Sequence, residues 1–365
     1  MTTIFLCGDV MTGRGIDQIL PHPGDPALRE SVVSNARTYV TLAERVSGQI
    51  PRPVPYTWPW GDALSVLDEL EPDVRLINLE TAVTTSGDFA PGKAVHYRMS
   101  PANAGCLTAV RPDACVLANN HVLDFGLSGL AESLRTLNES GIRFVGAGLD
   151  VQEAQRPAVS DLAGGARVVT VAAGLKSSGV PPHWAAIADR PGVAYVGDPS
   201  ERSAVDLADR VMTPKRAGDV TIVSLHWGSN WGYDVDADQV RFAHRLIDAG
   251  VDVVWGHSSH HPRPIEVYRG RLILYGCGDL VNDYEGIQPF RAFRDDLRLL
   301  YFASLEPGRG LSVLRMVPMR VRRMRLERAG QQDTEWLRST VEHASERFGT
   351  RIDGQRDGTL AVTAA

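Results

Sequence analysis

A chain of 365 residues has room for one large domain or two ordinary ones at roughly 150 residues each, and 43% hydrophobic content is enough for a substantial core, which excludes general disorder. Its 38 Lys and Arg against 44 Asp and Glu leave a net charge of −6, so no global attraction to nucleic acid is expected. Cys7, Cys106, Cys115 and Cys277 lack any Cys-x-x-Cys spacing and read as free, buried thiols rather than a zinc knuckle or disulfide framework.

The chain opens on Ile4-Phe5-Leu6 without the basic and long apolar regions of an export signal, and no segment reaches the roughly 18 apolar residues of a membrane helix. A soluble, cytoplasmic protein without membrane contact is the expectation. Residues 17–60 carry Pro21, Pro23, Pro26, Pro51, Pro53, Pro55 and Pro59 around one helical stretch near Asn35 to Val46, the pattern of a lid or substrate-binding insertion. Short runs rich in Val, Ile and Leu then predict buried strands at 4–6, 74–79, 114–117, 142–145, 168–172, 220–225 and 251–255. Between them, Leu127, Leu130, Leu134 and Leu137 space a helix that Gly141 would end, and Val240, Ala243, Leu246 and Ile247 space another ended by Gly250. Two hairpins come next, 265–268 with 272–275 around Arg269-Gly270, and 299–305 leading into Pro307-Gly308-Arg309-Gly310. After Leu326 an amphipathic helix is predicted over Asp333 to Phe348, then a polar, frayed end. Strand-helix units first and antiparallel strands late favour an α/β protein of two stacked mixed sheets with helices outside, as one domain over 1–325 and a helical tail over 326–365.

The polar residues just beyond each apolar run are more informative than the runs themselves. Gly8-Asp9, Asn78-Leu79-Glu80, Asn119-Asn120-His121, His226-Trp227-Gly228 and Gly256-His257-Ser258-Ser259-His260-His261 all stand at predicted strand ends. Carboxyl ends of strands in α/β sheets share one edge, so carboxylate, amide and imidazole groups would converge on one crevice, as a metal or proton-transfer site requires. His244, on a helix face, is read as structural.

Gly8-Asp9-Val10-Met11-Thr12-Gly13-Arg14, Trp60-Gly61-Asp62, Asn78-Leu79-Glu80, Ala118-Asn119-Asn120-His121-Val122-Leu123-Asp124-Phe125-Gly126, Val145-Gly146-Ala147-Gly148, His226-Trp227-Gly228 and Pro264-Ile265-Glu266-Val267-Tyr268 together resemble the CapA family of capsule (poly-γ-glutamate) biosynthesis proteins, within the metallophosphatase-like superfamily. The match covers about residues 4 to 285. It implies a four-layer αββα sandwich with a metal at the strand ends. Asp9, Glu80 and Asn120 fall on the metal-ligand positions, His226, His257 and His260 on further-ligand or supporting positions, and His121 on that of the imidazole beside the metal, with Asp124 placed to hold its tautomer.

The departures from the family pattern shape the functional expectation. Where two-metal members keep a His, this chain has Met11, a poor ligand for a hard cation; Ser258-Ser259-His260 replaces His-Pro-His, and Gly278-Asp279 replaces Gly-Asn. One divalent ion is expected, Ca, Mg or Mn, with no organic cofactor. Two His/Asp pairs, His121 with Asp124 and His257 or His260 with Asp279, would supply the two acid/base groups of a Cα epimerisation. CapA-like proteins also occur among lasso-peptide tailoring enzymes that look like epimerases, and the lack of a membrane-length segment, unlike capsule-type members, argues the same way. Arg98 would grip a substrate carboxylate, and Trp227 and Trp231, with Trp58, Trp60 and Trp184, would line a peptide pocket. Epimerisation of a peptide residue is therefore the leading expectation. A metal-dependent phosphoesterase, or a hydrolase or transferase of poly-γ-glutamate-type polymer, comes second, and a non-catalytic capsule-assembly module third.

Overall fold

The strands are set by period-two alternation. Along Arg167–Leu175, Val168 and Ala172 enter one apolar cluster while Val169, Val171, Ala173 and Leu175 enter another. Along Thr2–Leu6, Ile4 and Leu6 join the first of these and Phe5 joins a third. Such a division is what a sheet covered on both faces demands. The computed structural model describes residues 1–287 and 291–363.

In the larger sheet, Thr2–Leu6 and Asp9–Val10 run in line beside Val74–Leu79, parallel to it. Ala114–Val116 and then Phe144–Val145 extend the parallel part. On the other side Thr2–Leu6 is antiparallel to Leu297–Glu306, which hairpins into Gly310–Val321, and Asp9–Val10 is parallel to Asp279–Val281. The second sheet runs Tyr195–Val196, Arg167–Leu175, Val220–His226, Val253–His257, Arg271–Leu274, Ile265–Tyr268, parallel as far as Arg271–Leu274 and antiparallel in the closing hairpin. The protein is thus a mixed α/β structure built on mixed sheets. Among the described residues no helix is long and apolar enough to cross a membrane.

One apolar cluster is shared by the two sheets: Ile4, Leu76 and Val116 come from the larger, and Val168, Ile222 and Trp255 from the second. The other face of the second sheet is covered by helices Glu201–Met212 and Ala237–Asp248 through Leu207 and Phe242. The other face of the larger sheet is covered by Arg37–Ser47, Ala63–Leu70 and Gly126–Glu139 through Val40, Val66 and Leu130. Gly141 and Gly250 close two helices with φ of 70° and 101°, where a side chain would be strained.

Two regions differ from expectation. The proline-rich segment is seated in the core, with Ile19, Leu20, Tyr39, Val40, Ile50 and Val54 buried among the residues covering the larger sheet. The end expected to fray instead forms the strand Leu360–Thr363, antiparallel to Gly310–Val321, because Leu360 and Val362 bury their side chains in the inter-sheet cluster. Helices Ala63–Leu70 and Glu201–Met212 were not anticipated, although Ala204, Leu207, Ala208 and Val211 have helical spacing.

Trp255, fully buried in the second sheet, donates its Nε1–H to the carbonyl of Cys7 in the larger sheet at 2.9 Å. Trp255→Phe keeps a ring in place but leaves that carbonyl unpaired in a dry core, so stability should fall by about 2–3 kcal/mol. Urea midpoints measure it, with the exposed Val32→Ala as a control expected to move by less than about 0.5 kcal/mol. Equal midpoints for Trp255→Phe and wild type would mean that this indole does not key the sheets together.

Candidate metal centre

Two rows of strand ends face each other. In the larger sheet Asp279, Asp9 and Asn78 are register partners across neighbouring parallel strands. In the second sheet His226 and His257 are register partners. Asn78 has the parity of Val74 and Leu76, His226 that of Val220 and Ile222, and His257 that of Val253 and Trp255, all residues of the inter-sheet cluster. The site is therefore the polar end of the inter-sheet core. Gly8 allows the close approach of the Cys277–Asp279 segment: a Cβ there would lie 1.8 Å from the Gly278 oxygen, to which Asp9 N–H donates at 2.9 Å. Ser258 holds a φ of 103°, rare for a residue with a side chain, and its backbone N–H donates to Asp9 Oδ2 at 3.2 Å.

The side chains form one connected network. Asn78 Nδ2 donates to Asp9 Oδ1 at 2.8 Å and to Glu80 Oε2 at 3.1 Å, drawing two buried carboxyls together. Asn119 Nδ2 fixes the Asn78 amide by donating to its Oδ1 at 3.0 Å. From the facing sheet, His226 Nε2 lies 3.2 Å from Asn120 Oδ1 and 3.7 Å from Glu80 Oε1, and its Nδ1 lies 2.8 Å from His257 Nδ1. His257 Nε2 meets Ser224 Oγ at 2.7 Å, and its Nδ1 lies 4.0 Å from Asp9 Oδ1. Asp9, His226 and His257 each offer a ligand atom within 4.8 Å of the others.

Burial, reinforced by the charge of Asp279, pushes the Asp9 carboxyl up to about 7. Burial and the neighbouring Asp9 raise Glu80 well above the usual carboxylate range. Burial lowers His257 to about 3 and His226 well below its ordinary value. Carboxyls that resist ionisation beside imidazoles held neutral suit a divalent cation, which favours the ionised carboxylate and takes neutral imidazole as a ligand.

Two His–Asp pairs flank this cluster. Against burial, His121 and Lys93 hold the Asp124 carboxyl below its ordinary value, so Asp124 is an acceptor and His121 Nδ1–H donates to its Oδ2 at 2.7 Å. Tyr97 N–H donates to the same oxygen at 2.7 Å, and Lys93 Nζ stands 2.5 Å from Oδ1. His121 Nε2 is thereby left bare, 3.9 Å from Glu80 Oε1, and burial lowers the ring to about 4. On the far side of Asp9, His260 Nδ1 pairs with Asp279 Oδ1 at 3.0 Å, and Asn282 Nδ2 holds Asp279 Oδ2 at 2.6 Å. Burial works against a charge on His260, but Asp279 outweighs it and raises the imidazole above its ordinary value.

Asp9, Glu80, Asn120, His226 and His257 are thus brought together, with His121–Asp124 and His260–Asp279 beside them. Of the two histidines expected to compete for Asp279, His260 takes it, while His257 stands with His226 and Asp9, making the donor set richer in imidazole than expected. Met11 is buried, with the Tyr284 hydroxyl 4.0 Å from its sulfur. Arg98 lies elsewhere: its guanidinium donates to the carbonyls of Ser86 at 2.8 Å and Asp25 at 2.7 Å, joining two loops rather than standing ready for a substrate. Trp227, one residue past His226, faces the opposite side of its strand and stacks on Tyr275 in the helix-covered core. Trp60 is likewise core, whereas Trp231 lies beside His260 with ring centroids 5.1 Å apart. Lys93 and Ser224 were missed. Lys93 sits in a loop without periodicity, and Ser224 is indistinguishable in sequence from any small strand residue.

Residues 3–284 match the family described as bacterial capsule synthesis protein PGA_cap. The chain is 56% identical over 367 residues to the "Probable polyglutamine synthesis accessory protein" of Mycobacterium tuberculosis H37Rv, an alignment covering 100% of this chain and 97% of that one. It is 24% identical over 277 residues to the PGA biosynthesis protein CapA of Bacillus subtilis, covering 76% of this chain and 62% of the relative. With the capsule biosynthesis protein CapA of Bacillus anthracis the identity is 23% over 322 residues, covering 87% and 67%.

Because Asp9 is raised from 3.8 to about 7, its folded-state penalty grows as pH rises from 3.8 to 7 and is complete above that. Asp9→Asn should therefore stabilise metal-free protein at pH 8 by an amount on the order of a few kcal/mol, seen as a higher melting temperature, and this gain should shrink toward pH 4. Thermal scans in chelator across that range measure it. A variant less stable than wild type at pH 8 would contradict the assigned burial cost.

Proposed function

The chain belongs to the bacterial capsule synthesis protein family, and from that membership we propose that it is a metal-dependent enzyme of polymer assembly, acting at the amide bonds of a glutamate- or glutamine-based chain. The substrate class is taken from the relatives' names, which concern polyglutamine synthesis, PGA biosynthesis and capsule biosynthesis. The observation that carries the chemistry is the convergence of Asp9, His226 and His257 within 4.8 Å, with Glu80 and Asn120 joined to them.

These five residues would hold one divalent cation. Three oxygen donors and two imidazoles favour Mn, Zn or Fe over Ca, so Mn is the one member of the expected Ca, Mg and Mn trio that this donor set suits well. Bound there, the ion supplies Lewis-acid polarisation of a carbonyl. His121 holds its proton on Nδ1 and offers Nε2 as the base, with Asp124 and Lys93 fixing the ring. His260, charged against Asp279, is the acid for a departing amine. The apolar clusters between the sheets and on their outer faces support a four-layer αββα arrangement as a single catalytic unit over 1–325. Leu337 and Val341 of the tail helix pack into the shared cluster.

A second reading, Cα epimerisation, is favoured by one observation, that Asp279, which holds His260, sits on the strand at one edge of the Asp9 strand, while His121–Asp124 follows Ala114–Val116 on the side of its other edge. The relatives' names give no support to an isomerase, so amide chemistry ranks first.

Incubation of metal-loaded protein with γ-linked polyglutamate and with poly-L-glutamine in deuterium oxide separates the readings. New amine ends without deuterium at Cα are expected, lost in Asp9→Asn and His121→Gln. Cα deuterium without chain cleavage would reverse the ranking, and phosphate release from an aryl phosphate with no action on either polymer would overturn both. Elemental analysis should find close to one metal per chain, since Met11 replaces a ligand of two-metal relatives. Asp9→Asn should lose most of it.

A further inference from the structure

Arg298 is a buried cation on the strand Leu297–Glu306, 1% exposed, and no part of the metal cluster. Its Nη1 donates to the carbonyls of Asp295 and, at 3.0 Å, Leu297, while its Nε has no partner among the described residues. It lines a cavity of about 660 Å³ with Asn282, Tyr284, Asp295, Asp296 and Arg320, within the range of small-ligand sites of about 300–1,000 Å³. Asn282 is the residue that holds Asp279, which in turn holds His260. A second cavity, of about 250 Å³, is lined by His260, Trp231 and Arg14 and shares Tyr284, Ile287 and Asp295 with the first. The two therefore lie on either side of these shared residues, His260 lining the smaller and Arg298 the larger.

We propose that Arg298 is a substrate-anchoring residue that binds a pendant carboxylate of the polymer while a neighbouring unit lies at His260. A buried guanidinium with an unused N–H calls for an anionic, planar acceptor, and a carboxylate meets it with paired hydrogen bonds. The charge of Arg298 acts on Asp279, Asp295 and Asp296, but its hydrogen bonds among the described residues go to backbone carbonyls and not to a carboxylate. Asp296 is engaged by Arg294 at 2.7 Å and Arg320 at 3.3 Å. A carboxamide in the same place would meet Arg298 with one neutral oxygen. The inference deepens the polymer reading above and rests on it: it makes the pendant group an acid, not an amide.

The test is a binding measurement on metal-free protein, which needs no turnover. A γ-linked pentaglutamate is compared by calorimetry with the same pentamer carrying amides in place of its pendant carboxylates. Wild type should bind the acid form about tenfold or more tightly. Arg298→Gln should lose that preference while its affinity for the amide form stays unchanged, and Arg298→Lys should keep part of it. Equal binding of both forms by wild type overturns the proposal without use of any variant, so a poorly folded Arg298→Gln cannot protect it; an Arg298→Gln protein that melts normally and keeps the preference also overturns it. Binding of neither form overturns it as well, and the cleavage assay above then decides separately whether the polymer reading stands.

Discussion

The geometry of the site depends on how two sheets are locked face to face. Trp255 spans the gap, its indole N–H on the carbonyl of Cys7. Two residues further along each strand come His257 and Asp9, so one cross-sheet contact fixes the distance between ligands that share no sheet. Ser258 adds a second tie by turning its N–H onto Asp9 through a backbone conformation that its side chain disfavours. Packed cores yield little, which is why a site between two layers can hold donors more exactly placed than one built on loops.

That placement works against stability. Three carboxyls, Asp9, Glu80 and Asp279, are buried side by side with imidazoles that burial keeps neutral. Asp279 is compensated by His260, and Asp124 by His121 and Lys93. Asp9 and Glu80 are compensated less directly: they share the amide of Asn78, face the two histidines of the other sheet, and feel the charges of His260 and Lys93 without a hydrogen bond to either among the described residues. The electrostatic cost is concentrated on the residues proposed as ligands, a common division between function and stability.

Arg14 binds the proline-rich segment to the same region. Its guanidinium pairs with Asp283, reaches Glu30 at 2.9 Å and lies 3.9 Å over the Tyr39 ring and 4.4 Å over Tyr97. Glu30 and Tyr39 belong to the segment, whereas Tyr97 and Asp283 border the site. One buried cation thus couples the insertion to the loop carrying Tyr97, whose N–H supports Asp124. Residues far apart in sequence are set by a shared charge rather than by any local pattern.

Much of this architecture is legible in the sequence, for identifiable reasons. Strands such as Val74–Leu79 and Val220–His226 and helices such as Gly126–Glu139 write their burial into residue spacing, and the polar groups after the strands mark the crevice because parallel strands end on a common edge. Alternation places Trp227 opposite His226, in the helix-covered core, and nothing local reveals that two distant carbonyls engage Arg98. The tail strand Leu360–Thr363 was invisible because its apolar residues gain burial only from a sheet edge formed elsewhere. The α/β class, the strand-end crevice and the chemical types gathered there follow from periodicity and residue identity, and so can be read without coordinates. Which histidine meets which carboxylate, and that Lys93 and Arg298 stand near them, was decided by the tertiary structure alone, because pairing between two sheets depends on their packing distance and register, and no local pattern encodes either.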